Sequence, residues 1–308
     1  MATNPDPSID LMALADIGGN PMKLAQEVHR QLRLQYGSVP HDVPLEGIAK
    51  SVGIEDIVDH QTEAFEGTLF VNGSRGIVGL RKGMRLGRRR FTLGHELGHF
   101  LNPWHSSAQK RFECSSNDTR MLRASGGRWV DRPPQEKMEI EANEFSNALL
   151  IPAPEYREAR RLLGGDPSIE HIRSLADMFK VSFEVMCQTF VNTEKETVGI
   201  ILSRNGLVVR PMLPRSFPYL GMSKGAAIPM DTTTADFQKF ASSGDISTLN
   251  DALNSSWLER KGNVSGLYEQ AYIQSGGWAV TLLWAEIEEQ DEEADDQNWN
   301  RGSFKRWA

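Results

Sequence analysis

His95-Glu96-Leu97-Gly98-His99 is the stretch from which the rest of this chain is read. It spells H-E-x-x-H, a metal-binding signature when it lies on a helix. At 3.6 residues per turn, His95 and His99 stand one turn apart on one face, where two imidazoles reach a single ion. Glu96 lies at the edge of that face, placed to take a proton from a water on the metal without itself filling a coordination position. Leu93, Leu97, Phe100 and Leu101 fall on the opposite side, and Gly94 and Gly98 on a third strip that allows close packing. A plain surface helix has no need of this sorting.

The chain has 308 residues, 39% of them hydrophobic, enough for one large domain or two modest ones. Met1 to Ile9 has neither a basic start nor an apolar run, and no stretch approaches the roughly 18 apolar residues of a membrane span. The expectation is a soluble cytoplasmic protein with no membrane partner. Cys114 and Cys187 are the only cysteines, so no disulfide framework exists and reduced thiols are expected. A net charge of −7 provides no overall field for nucleic acid. The local exception, Arg81 to Arg90, is basic but lacks interleaved aromatics, and reads as a solvated turn leading into a helix; gripping an acidic peptide is the second option.

Residues 1–20, with Pro5, Pro7 and the Gly18-Gly19-Asn20-Pro21 break, read as a flexible leader. Apolar spacing predicts a helix from Met22 to Tyr36 and a shorter one opened by Pro44. Gly67–Val71 and Gly76–Leu80 flank an Asn72-Gly73-Ser74 turn and predict a hairpin leading into the histidine helix. Asn102 to Gln135 is polar and irregular and reads as a long surface loop bordering a cleft. A helix follows from Gln135 to Leu150, with Met138, Ala142, Phe145 and Leu149 as its buried stripe.

Phe91-Thr92-Leu93-Gly94-His95-Glu96-Leu97-Gly98-His99-Phe100, followed by Glu139-Ile140-Glu141-Ala142-Asn143-Glu144-Phe145-Ser146-Asn147-Ala148-Leu149-Leu150-Ile151-Pro152, resembles the paired motif of the ImmA/IrrE metallopeptidases. Gly94 and Ser146 stand where that family usually has Ala. The resemblance spans roughly residues 22–192. It implies an α+β fold, with a zincin-like helical metallopeptidase core and a small antiparallel sheet, placed here at residues 21–195. It also implies one zinc ion per chain and a zinc-dependent endopeptidase of bacterial or phage-derived regulatory systems, whose protein substrate is a helix-turn-helix type repressor.

His95 and His99 are thus the expected zinc ligands and Glu96 the catalytic base, while two positions compete for the third ligand. His105 completes H-E-x-x-H-x-x-N-x-x-H, but Pro103 biases Asn102 toward extended backbone and opposes the sharp turn this needs. Glu139 lies on a separate helix, with Asn143 one turn later to orient a ligating imidazole, and it occupies the family's position. Glu139 is the preferred ligand and Glu141 the fallback. Tyr156 and His105 are candidates for stabilising the oxyanion.

Residues 168–191 follow a helix, Lys180-Val181-Ser182 turn, helix pattern. Their balanced charge favours core packing over a DNA-facing role. Residues 196–286 predict a smaller C-terminal α+β domain, a structural cap or a regulatory unit, with Trp257, Trp278 and Trp284 available to its core. Residues 287–308 form an acidic tail expected to be mobile. Two rival readings remain. One is a partner-binding regulator that holds the zinc structurally, with four protein ligands and no need of Glu96; the other is a DNA-binding regulator using residues 168–191.

Overall fold

The computed structural model describes residues 6–118, 131–260 and 262–288. The chain divides into two units, one of Met1–Asp166 with Glu170–Thr189 and one of Pro167–Ile169 with Phe190–Ala308. In the first, α1 (Leu11–Ala15), α2 (Pro21–Tyr36) and α3 (Leu45–Val52) precede β1 (Ile54–His60), β2 (Gly67–Asn72) and β3 (Arg75–Arg81). Next come α4 (Leu86–Leu101), α5 (Pro103–Ala108), β4 (Arg111–Cys114), α6 (Pro134–Leu150), α7 (Ala153–Leu163), α8 (Ile169–Phe179) and α9 (Phe183–Thr193).

The expected hairpin is present. Asn72 pairs with Arg75 across Gly73 and Ser74, and Gly73 supplies the positive φ of 62° that the turn requires. The sheet built on it has the order β1-β3-β2-β4 and is mixed, because β1 runs parallel to β3 while the other pairs are antiparallel. Its last strand lies inside the stretch expected to be a long loop, as does α5. Both are short: Phe112 and Cys114 face inward and Arg111 and Glu113 outward, an alternation too brief to stand out from a polar sequence. Residues 119–130 of that stretch lie outside the described residues.

Residues 6–20, expected as a flexible leader, are instead docked. Asp10 caps α1 by accepting from the Met12 amide at 2.9 Å, while Ile9 N donates to Ser51 Oγ at 2.8 Å and Asp10 N to Gln31 Oε1 at 2.6 Å. Pro7, Ile9 and Leu14 are buried. A helix of five residues has no room for a periodic apolar stripe, so the sequence concealed it.

α4 and α6 cross through small residues. A Cβ added to Gly98 would lie 3.0 Å from Ala142 Cα, and one on Gly94 would lie 2.6 Å from Ser146 Oγ, which itself donates to Phe91 O at 2.8 Å. The close approach puts the first turns of α6 beside His95 and His99. The other side of α6 receives α2, whose buried His29 donates Nε2–H to Leu149 O at 2.9 Å. Burial lowers the pKa of His29, with the Leu149 carbonyl opposing it in part. The unfolded chain therefore takes up this proton before the folded one does, and stability present above the unfolded pKa of about 6.5 is lost as pH falls below it. The melting temperature should drop between about pH 7.5 and 5.5, and drop less in His29→Gln; equal slopes for the two proteins in thermal melts would contradict this.

Four arginines of the basic stretch, which runs into the first turn of α4, are engaged in ion pairs, while Lys82 and Arg85 are exposed. Arg81 pairs with buried Glu66 at 2.9 Å and Arg88 with the same carboxylate, Arg89 pairs with Asp59 at 2.6 Å, and Arg90 with Asp42 at 2.8 Å. The α8–α9 pair is core: Ile172, Leu175, Phe179, Met186 and Cys187 are buried, and Gly87 of α4 abuts the backbone of Val181 and Ser182. The burial of α8 and α9 matches the core-packing reading of residues 168–191.

The second unit contains β5 (Thr197–Arg204), β6 (Leu207–Met212), α10 (Thr233–Phe237), β7 (Asn250–Asp251), α11 (Asn254–Trp257), β8 (Val264–Ile273) and β9 (Trp278–Ile287). Its antiparallel sheet has the order β6-β5-β9-β8-β7. Of the three tryptophans considered for its core, Trp257 is fully buried and donates to Glu269 Oε2 at 3.0 Å; Glu269 also accepts from the Thr233 and Thr234 amides at the start of α10. Trp278 and Trp284 are only partly buried, Trp278 under the Arg204 guanidinium and Trp284 beside Tyr268. The acidic tail, from residue 289 on, lies outside the described residues. No helix among the described residues is long and apolar enough to cross a membrane.

Candidate metal centre

His95 and His99 present Nε2 atoms 3.1 Å apart. Glu139 completes a triangle, Oε2 lying 3.2 Å from His95 Nε2 and Oε1 3.6 Å from His99 Nε2. These separations resemble the edges of a tetrahedron with bonds of about 2.0–2.1 Å to its centre, which are about 3.3 Å long. A fourth donor joins them. Cys114 Sγ stands 3.7 Å from His99 Nε2, and the four donor atoms all lie within 4.8 Å of one another on buried residues.

Hydrogen bonds on the far sides of the rings fix what faces inward. Asn143 Nδ2 donates to Asp118 O at 2.8 Å, so its Oδ1 is the atom 2.8 Å from His95 Nδ1. An amide oxygen only accepts; Nδ1 of His95 carries the hydrogen and neutral Nε2 presents a lone pair. For His99 the argument runs through a second ring. His105 Nε2 donates to Glu141 Oε2 at 3.2 Å, leaving His105 Nδ1 to accept from His99 Nδ1 at 3.2 Å and His99 Nε2 with a lone pair. Two lone pairs and a carboxylate thus converge in a buried space, an arrangement that repels itself unless a cation is among them. Glu139 Oε2 has no hydrogen-bond partner there. The donor set suits zinc.

The electrostatics point the same way. Burial pushes the Glu139 carboxyl up, but the nearness of His95 and His99 overrides this and holds it far below the usual range. Burial lowers His99 to about 4, whereas for His95 the Glu139 carboxylate outweighs burial and the net shift is upward. Glu96 is fully buried; neither of its oxygens has a hydrogen-bond partner at ordinary distance, and the neighbouring Cys114 thiol interacts with it only weakly, offsetting burial in part. Burial raises its pKa to about 8. It faces Gly67 of β2, where any Cβ would collide with Glu96 Oε1. The hairpin therefore needs glycine at this point to leave room for the carboxylate.

His105 and Glu141, the alternative ligands, are drawn together outside the four-donor group. One Glu141 oxygen accepts from Trp104 Nε1 at 2.9 Å and Asn102 Nδ2 at 3.1 Å as well as from His105. Asn102 has φ −81° and ψ 114°, the extended geometry that Pro103 imposes; it ends α4 and caps α5, and the sharp turn that would aim His105 at a metal does not form. Tyr156, the other candidate for the oxyanion, is buried with its ring 6.2 Å from that of Phe179. No motif spacing marks Cys114, whose place depends on its register opposite Gly67.

Residues 100–190 match the M78 peptidase family model, described as the IrrE N-terminal-like domain. No curated protein matches the chain. Among solved structures it is similar to a Mycobacterium tuberculosis transcriptional regulator, with 15% identity, 90% of this chain and 77% of that chain covered, and a TM-score of 0.47. The matched segment holds Cys114, Glu139 and Asn143 and begins directly after His99. Residues 100–190 are thus similar to the IrrE N-terminal-like domain of the M78 peptidases, and the H-E-x-x-H helix leads directly into them.

Proposed function

We propose that the chain is a cytoplasmic zinc endopeptidase that cuts a regulatory protein, a helix-turn-helix type repressor, at few sites. The observation that carries the reading is the convergence of two oriented imidazole lone pairs and the Glu139 carboxylate next to a carboxylate, Glu96, that is enclosed and has no hydrogen-bond partner at ordinary distance. His95, His99 and Glu139 would hold one zinc ion per chain, which supplies Lewis-acid polarisation of a peptide carbonyl. Glu96 takes the proton of the attacking water and returns it to the leaving amine. Asn143 and the His105–Glu141 pair keep the two imidazoles in the required tautomers. The second unit acts as a cap or regulatory element for this reaction.

Incubating the purified chain and zinc with a repressor-type protein encoded beside it should give a small number of fragments. A chelator should stop the cleavage, and casein should stay nearly intact. Broad digestion of casein would refute selective regulatory proteolysis. A second reading, a regulator holding zinc structurally, draws support from Cys114, because four protein ligands close a zinc site.

A further inference from the structure

We propose that Cys114 is the fourth protein ligand of the resting metal centre, so that the site is coordinatively closed until the thiolate lets go. The inference rests on the metal reading above and extends it. Bonds of about 2.3 Å to sulfur and about 2.0–2.1 Å to nitrogen, at the tetrahedral angle, separate the two atoms by about 3.6 Å. The observed Sγ to His99 Nε2 distance is 3.7 Å.

Cys114 is held in place from two directions. It pairs with Gly67 of β2, and its carbonyl accepts from Glu66 N at 2.9 Å. On the other side Asp118 closes the following turn by accepting from Ser115 N at 2.7 Å and Ser115 Oγ at 2.6 Å, and Asp118 O accepts from Asn143 Nδ2. Asn143 also orients His95. One side chain thus positions both an imidazole and the turn that follows the thiol. Cys187, equally buried, belongs to no such group among the described residues.

With a metal bound the thiol would give up its proton to solvent, and the set would be two imidazoles, one carboxylate and one thiolate. The position a substrate carbonyl or water needs is then taken. Cys114 lies on β4, an edge strand of four residues, the part of the sheet with the fewest ladder bonds to break. Displacing β4 frees that position while His95, His99 and Glu139 stay on α4 and α6. The centre therefore combines the closed coordination of a structural site with the spare base of a catalytic one.

Cobalt(II) loading of the metal-free, full-length protein tests this by absorption spectroscopy. The wild type and Cys187→Ser should each bind about one cobalt per chain and show a near-ultraviolet thiolate-to-cobalt charge-transfer band. In Cys187→Ser the band can come only from Cys114, so the result stands even if a Cys114 variant fails to fold. Cys114→Ser should keep about one cobalt, bind it at least about tenfold more weakly, and lose the band. Stoichiometric cobalt without the band in Cys187→Ser would overturn the thiolate ligand and leave the three-ligand metal site intact; no cobalt in the wild type would overturn both.

Discussion

Glu96→Gln will bind about one zinc per chain, as the wild type does, and will lose peptidase activity by about 10²–10⁴-fold, the usual worth of a positioned general base. The amide keeps the shape of the carboxylate, so the clearance against Gly67 is preserved and the fold should not change. What disappears is a proton acceptor. The carboxylate sits outside the triangle of His95, His99 and Glu139, so its loss should not release metal. Zinc content by atomic emission and cleavage of the repressor substrate separate the two effects. Loss of zinc along with activity would place Glu96 among the ligands and remove it as the base.

Glu139→Ala and His105→Ala form the second test, since the two residues competed for one role. In Glu139→Ala the zinc content after dialysis should fall far below that of the wild type, because a charged ligand is gone and only the two imidazoles and the Cys114 thiol remain. His105→Ala should still carry about one zinc, with affinity lowered by about 10–100-fold, the range expected when an outer hydrogen bond to a ligating histidine is cut. Competition titration against a chelator measures both. Zinc lost from His105→Ala and retained in Glu139→Ala would reverse the assignment and make His105 the ligand.

What the sequence disclosed follows the length over which each signal repeats. α4 and α6 span several turns, so periodicity located them and the H-E-x-x-H spacing gave their polar face. Gly94, Gly98, Ala142 and Ser146 are small for a reason that the sequence suggested and the crossing makes concrete. The β2–β3 hairpin was marked by its Asn-Gly turn. α1, α5 and β4 are each six residues or fewer, below the length at which a period can be recognised. Cys114 depends on β4, and a register between strands far apart in sequence leaves no local trace. For His105 and Glu141, spacing showed that each could reach a metal but not that they would reach each other. Only the extended backbone at Asn102, foreshadowed by Pro103, decided between these outcomes.

Asn102 Nδ2 also donates to Gly19 O, at 3.0 Å, as well as to Glu141. A strand of hydrogen bonds therefore runs from the docked N-terminal segment through α5 to His99, and it closes only on a glutamate from α6. During synthesis the two histidines leave the ribosome well before Glu139 and Glu141 do. A half-made chain thus carries both imidazoles with neither the carboxylate that completes the donor set nor the one that fixes the His99 tautomer. Tight metal capture has to wait for α6.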